Sequence, residues 1–190
     1  MKVTAGFKSG VLLKTALDIK AYNKHLTTKI PGTRKTVLFV TMENTVSETV
    51  ARMFDMSIVD EVLKDYTPKQ LLNLIKKNGA FKIDGNDDID IVIQYYPNFG
   101  IDTNDLYSII AEIEDNGGEV IALILDYIKR IKPASPFRDE KEGLKNVSNE
   151  LKNLAVELDI PVITAHYSGG FMWQRVMKNL FNCWNLSLGL

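Results

Sequence analysis

The sequence predicts an α/β domain, a mostly parallel sheet covered by helices on both faces. Three observations carry this. Short runs of β-branched and aliphatic residues alternate along the chain with stretches whose apolar residues recur at helical spacing. The run Val120 to Leu125 is apolar throughout, as strands buried on both faces are, and Thr36 to Thr41 repeats the design. Thr36 to Thr41 and Val120 to Leu125 run directly into the acids Glu43 and Asp126. Carboxylates are thereby delivered to the carboxyl ends of strands, where open α/β sheets bind their ligands.

In chain order, Val11, Leu12, Ala16, Ile19 and Tyr22 fall at helical spacing from Ser9 to about Lys24, and Pro31-Gly32 turns the chain into the strand Thr36 to Thr41. Ser47 to Phe54 predicts a helix beyond Glu43. A further helix opens at Thr67-Pro68-Lys69-Gln70, where Thr caps, Pro takes the first turn and Gln completes a capping box, with Leu71, Leu72 and Ile75 as its buried face. Ile89 to Tyr95 predicts the next strand. Leu106, Ile109, Ile110 and Ile113 form a helical stripe that starts after Thr103 and stops at Asn116-Gly117-Gly118. The strand ending at Asp126 leads into a loop interrupted by Pro133 and Pro136. A long helix from about Asp139 to Leu158 carries the stripe Leu144, Val147, Leu151, Leu154 and Leu158, with Lys145, Glu150, Lys152 and Glu157 on its wet side. Ile160 to Ala165 is the last clear strand. Strand–helix alternation of this kind calls for right-handed crossovers.

The 190 residues, 45% hydrophobic and 25% charged, suit one globular domain with a sizeable core and argue against disorder. A net charge of -1 supplies no global basic field, so nucleic-acid contact must come from local Lys and Arg. The single cysteine, Cys183, can form neither an internal disulfide nor a zinc cage, which fits a reducing compartment. No stretch reaches the roughly 20 apolar residues of a membrane span, and a cytoplasmic location is expected.

Several residues carry potential chemistry. Gly6-Phe7-Lys8-Ser9 opens the first helix, where backbone amides, an ammonium and a hydroxyl converge at the end that favours anions. This is similar to the close of a GxxxxGK[ST] phosphate loop, with Phe7 in the place of the second glycine. Asp126 is a candidate Mg²⁺ partner, and Glu43 a candidate general base for the water attacking a γ-phosphate. Lys129, Arg130, Lys132, Arg138 and Lys141 follow Asp126 closely and suit a nucleic-acid backbone as well as an ordinary charged surface. His166 follows the last strand and gains interest because that strand is predicted to neighbour the Asp126 strand.

Together these blocks resemble the RecA-fold motor domain of DnaB-like replicative helicases, most of all those of tailed bacteriophages. The resemblance runs from Gly6 to about Ala165. It rests on Lys8-Ser9 with Ala16-Leu17-Asp18, on Val37 to Glu43, on Arg52 in the helix beyond, and on Gln94-Tyr95-Tyr96-Pro97. Leu123 to Tyr127 resembles the family's Walker B strand, and Glu150 to Leu158 followed by Ile160 to Ala165 its long helix and next strand.

The resemblance implies a RecA-like P-loop NTPase core over residues 1–170, with an unrecognised tail at 171–190. It implies ATP and Mg²⁺ as cofactors, with Gly6, Lys8 and Ser9 at the phosphates, Ser9 and Asp126 at the metal, and Glu43 as base. It also implies a homohexamer that moves along single-stranded DNA in the host cytoplasm, with primase and a helicase loader as candidate partners. Arg138, Lys141, His166 and Tyr167 are the candidate DNA-binding or coupling residues. Family members usually carry glutamine, then asparagine and arginine, after the last strand, where this chain has Tyr167-Ser168-Gly169-Gly170. The strand before the phosphate loop and the segments flanking the motor are expected to be missing, so the chain alone is expected to hydrolyse ATP weakly. Two alternatives stay open: a recombinase-like or clock-type RecA ATPase, and a degenerate RecA-fold interaction module.

Overall fold

The computed structural model describes residues 6–23, 25–57, 67, 69–70, 89–97 and 100–165. Its elements, in order, are α1 (Gly6–Tyr22), β1 (Arg34–Thr41), α2 (Val46–Ser57), β2 (Ile89–Tyr95), α3 (Thr103–Asp115), β3 (Gly118–Asp126), a 3-10 turn (Ile128–Arg130), α4 (Glu140–Glu157) and β4 (Val162–Thr164). The four strands form one sheet in the order β2-β1-β3-β4, parallel at every pairing. The expectation of a parallel sheet is met, and the strands that end in Glu43 and Asp126 are direct neighbours.

Period-2 alternation within the apolar runs builds two cores, one on each face. Leu38 and Val40 of β1, with Leu123 and Leu125 of β3, face Leu106, Ile109 and Ile110 of α3 and Val147, Leu151 and Leu154 of α4. Val37 and Phe39, with Ala122 and Ile124, face Leu12, Leu13, Ala16 and Leu17 of α1 and Met53 of α2. Strands covered this way have no polar face to show, which is why β1 and β3 read as unbroken apolar runs.

Helix ends follow the expected chemistry. Asp102 caps α3 in a reciprocal box with Asp105, and Asp139 caps α4 by accepting from the Glu142 amide. Thr67 and Gln70 form the predicted box, with the Thr67 amide 2.8 Å from Gln70 Oε1 and the Gln70 amide 3.3 Å from Thr67 Oγ1. Leu71, Leu72 and Ile75 lie outside the described residues, as do His166, Tyr167 and the proposed tail.

Two details differ from the sequence reading. The buried face of α1 is Ser9, Leu12, Leu13, Ala16, Leu17 and Lys20, while Tyr22, expected in the stripe, is 72% exposed. Lys20 is buried because its ammonium donates to the Ile89 carbonyl, 69 residues away. Glu150, expected on the wet side of α4, is half-buried and accepts from Thr103 Oγ1 (2.6 Å) and the amides of Ala134 and Ser135 (3.0 Å each). In both cases a distant partner satisfies a polar group that local hydrophobicity assigns to solvent.

Candidate nucleotide site at the carboxyl edge of the sheet

The site begins with strand register. Thr41 pairs with Asp126 across β1 and β3, and the Met42 amide extends the pairing by donating to the Asp126 carbonyl at 3.0 Å. Both strands therefore end level, and both acids lie at one edge. The turn that carries Glu43 is locked by the buried Thr41 hydroxyl, which accepts from the Asn44 amide and donates to the Asn44 carbonyl, each at 3.1 Å. Glu43 itself is exposed. The peptide joining Asp126 to Tyr127 is cis.

Asp126 is the centre of the arrangement. Its residue is 1% exposed, and Ser9, equally buried on α1, donates its hydroxyl to the carboxylate. Burial pushes the Asp126 carboxyl above its ordinary range. The Ser9 hydrogen bond opposes this, the nearby charge of Glu43 adds to it, and the cations Arg52 and Arg130 oppose it. Among the described residues, Asp126 Oδ1 has no hydrogen-bond partner. A buried carboxylate oxygen without a donor is costly unless a cation meets it.

Lys8 precedes Ser9 in the first turn of α1 and is half-buried, and Gly6 contributes backbone to that same turn. Burial lowers the Lys8 ammonium from its ordinary range, and the charge of Lys129 lowers it further. The edge thus joins a helix N-terminus, two lysines, a hydroxyl and two acids.

The donor set fits Mg²⁺. The ion prefers oxygen, keeps several waters and takes one or two carboxylates plus phosphate oxygens rather than an all-protein cage. Asp126 and Ser9 offer two oxygens of that kind. No group of three His, Cys, Asp or Glu that could hold a metal exists among the described residues.

The loop from Ile131 to Asp139 leaves this edge and is held by one ridge of α4. Glu142 accepts from the Arg138 amide at 2.8 Å, Asn146 donates to the Pro136 carbonyl at 3.1 Å, and Glu150 takes the amides of Ala134 and Ser135. These three residues recur every four positions, so they line one side of the helix. Gly143 lies against Phe137, whose ring carbon would be only 3.0 Å from an added Cβ. Arg138, Lys141 and Lys132 are left exposed or half-exposed beside the 52% exposed Phe137. The cations of this loop stand out in the sequence, but the ridge does not; its only local signal is the polar spacing Glu142, Asn146, Glu150.

A parallel sheet covered on both faces, with acids at its carboxyl edge, is an α/β arrangement of the RecA-like kind. A family model described as divergent DnaB-like ATPase matches residues 3–168, and the chain belongs to that family. Among solved structures, it is similar to one described as an ATPase domain, with 19% identity and a TM-score of 0.54 over 82% of this chain and 51% of that one. It is also similar to a DnaB-like replicative helicase described with its interactions with primase, with 18% identity and a TM-score of 0.53 over 83% of this chain and 35% of that one. The chain therefore spans about half and about a third of these two structures. No curated protein matches it at significant sequence similarity. None of the described helices is long and apolar enough to cross a membrane.

Proposed function

We propose that the chain is the ATP-binding motor piece of a replicative helicase, one that binds Mg²⁺-ATP at the carboxyl edge and single-stranded DNA through the loop after β3. The observation that carries the reading is the buried Asp126 carboxylate, held by Ser9 next to Lys8, with one oxygen unsatisfied among the described residues. Lys8 and the amides of the Gly6 turn would bind phosphate oxygens. Ser9 and Asp126 would hold Mg²⁺, which neutralises charge on the phosphates. Glu43, exposed on a turn fixed by Thr41, would orient the attacking water and accept its proton as the γ-phosphorus–oxygen bond to ADP breaks.

Arg138 and Lys141 would meet the phosphates of a single strand, with the exposed Phe137 ring as a stacking platform. His166 and Tyr167 belong to the same proposal as coupling residues. By its kinship with ring helicases the chain would work as a homohexamer, with primase and a loader as partners of the larger assembly. Hydrolysis by an isolated protomer would be weak, since an interfacial ATPase without a neighbouring protomer's arginine loses about 10³ to 10⁵ in rate in related switches.

Phe7, in place of a loop glycine, and the family's description as divergent favour a second reading, a module that binds no nucleotide. Titration with Mg²⁺-ATP, followed by melting temperature and calorimetry, separates the two. Saturable binding that requires Mg²⁺ and disappears in Lys8→Ala supports the motor; an unchanged melting temperature at millimolar nucleotide refutes it. Salt-sensitive binding to single strands then distinguishes a helicase motor from a clock-type ATPase, which has no need of DNA.

A further inference from the structure

Asn44 carries a buried amide that the fold itself does not use. The residue is 9% exposed and directly follows Glu43 in the turn that leaves β1. Its backbone is engaged: the N–H donates to Thr41 Oγ1 and the carbonyl accepts from that hydroxyl, each at 3.1 Å. Its side chain hydrogen-bonds to none of the described residues, and its amide is not sealed from solvent.

The usual structural reasons for an asparagine in such a turn are absent. Helix α2 is capped by Thr45, whose hydroxyl accepts from the Glu48 amide at 3.3 Å while the Glu48 carboxylate accepts from the Thr45 amide at 2.9 Å. Among the described residues, the one non-glycine position with positive φ is Asp159, so the turn makes no use of asparagine's tolerance of the left-handed region. The turn is closed by the Thr41 hydroxyl rather than by an Asn44 side-chain bond to the backbone.

Strand register fixes where Asn44 stands. Thr41 continues the face of Val37 and Phe39, and Asp126 that of Ala122 and Ile124, so both lie on the α1 side of the sheet. They are register partners on adjacent strands, about 4.8 Å apart. Asn44, folded back onto the Thr41 hydroxyl, is thereby held one strand from Asp126 and next to Glu43 in the chain.

We propose that the Asn44 carboxamide donates a hydrogen bond to the terminal phosphate of a bound nucleoside triphosphate, between Glu43 and Asp126. The inference rests on the nucleotide-binding reading above and extends it to a residue outside the phosphate-loop pattern and the two strand-end acids. The edge already carries two carboxylates, which repel an approaching phosphate. A neutral N–H donor offsets that repulsion without pairing with the base and blunting it. A nearly buried amide without a protein partner costs stability, and a phosphate oxygen supplies the acceptor it lacks. ADP has no terminal phosphate of this kind, so Asn44 distinguishes the triphosphate from its hydrolysis product.

The test is calorimetric titration of the full chain with a slowly hydrolysed ATP analogue and with ADP, each with Mg²⁺, in wild type, Asn44→Leu and Asn44→Asp, together with urea melts of all three proteins without nucleotide. Asn44→Leu, similar in shape but without a donor, is expected to bind the triphosphate about tenfold more weakly with ADP affinity unchanged, as loss of one hydrogen bond to a charged acceptor requires. Asn44→Asp, which sets a third carboxylate at the edge, is expected to lose still more triphosphate affinity. Without nucleotide, Asn44→Leu is expected to unfold at the wild-type urea midpoint or above it, since no hydrogen bond within the protein is given up. Wild-type affinity for the triphosphate in both variants overturns the inference while leaving the nucleotide site standing. So does an equal loss for both nucleotides, or a urea midpoint of Asn44→Leu well below that of the wild type. Absence of binding in the wild type overturns the nucleotide site itself and this inference with it.

Discussion

Replacing Asp126 with asparagine separates two demands on one side chain, the stability of the fold and the holding of a cation. The wild-type carboxylate is buried to 1% exposure, keeps one oxygen without a donor among the described residues, and has its carboxyl pushed up by burial. The folded chain therefore holds this proton more tightly than the unfolded chain, whose ordinary value is 3.8. The stability contributed by Asp126 is present below that value and is lost as pH rises through the raised folded value. An amide of the same shape carries no charge and escapes the loss.

In metal-free buffer at pH 7, Asp126→Asn is expected to be the more stable protein by about 1–3 kcal/mol, the cost of desolvating a buried charge, which the uncharged amide avoids although it too lacks a partner where Oδ1 did. For a chain of this length that corresponds to roughly 2–4 °C in Tm per kcal/mol. The order reverses with ligand. Mg²⁺-ATP at one hundred times its Kd stabilises the wild type by about 2.7 kcal/mol. The variant, which keeps Ser9 and Lys8 but lacks the carboxylate, loses most of that gain. Thermal and urea melts from pH 4 to 8, with EDTA or with Mg²⁺-ATP, measure both effects. A variant less stable than wild type at pH 7 in EDTA, or a wild-type profile that is flat with pH, refutes the account of Asp126.

Four further outcomes follow from the packing. Glu150→Ala removes the acceptor shared by Thr103, Ala134 and Ser135; it is expected to cost about 2–3 kcal/mol in urea denaturation and to speed amide exchange at Ala134 and Ser135, while Glu150→Gln does less. At Glu119 burial raises the carboxyl, but hydrogen bonds from the Lys29 and Ile30 amides and the Thr33 hydroxyl outweigh it and hold the group below its ordinary range. Its stabilisation is therefore present at neutral pH and lost as pH falls through the lowered folded value, so Glu119→Gln should flatten the acid limb of the stability profile. Thr41→Val unlocks the turn carrying Glu43 and is expected to cost about 1–2 kcal/mol by urea melt. Leu123→Ala, at a fully buried position in the central layer, is expected to cost about 2–5 kcal/mol.

Much of the fold is legible without coordinates. Strands β1 and β3 stand out because burial on both faces leaves their central residues, Val37 to Val40 and Val120 to Leu125, apolar without a break, and the acids at their ends mark the functional edge. The caps at Thr67 and Asp139 are local, involving groups three residues apart, so their signal survives in the sequence. Lys20 and Glu150 escape such a reading for the opposite reason. A periodicity argument sends every charge to solvent, whereas these two are kept inside by a carbonyl on β2 and by a loop held against α4.

The linear sequence determined by itself the α/β class, the number and order of the described strands and the identity of the acids, because each depends on runs of neighbouring residues. Only the tertiary structure decided that β1 and β3 lie side by side in register and that Ser9 reaches Asp126 from α1. It alone left one oxygen of that carboxylate without a donor among the described residues. Those relations join residues far apart in the chain, and burial, charge and hydrogen bonding act through space rather than along it.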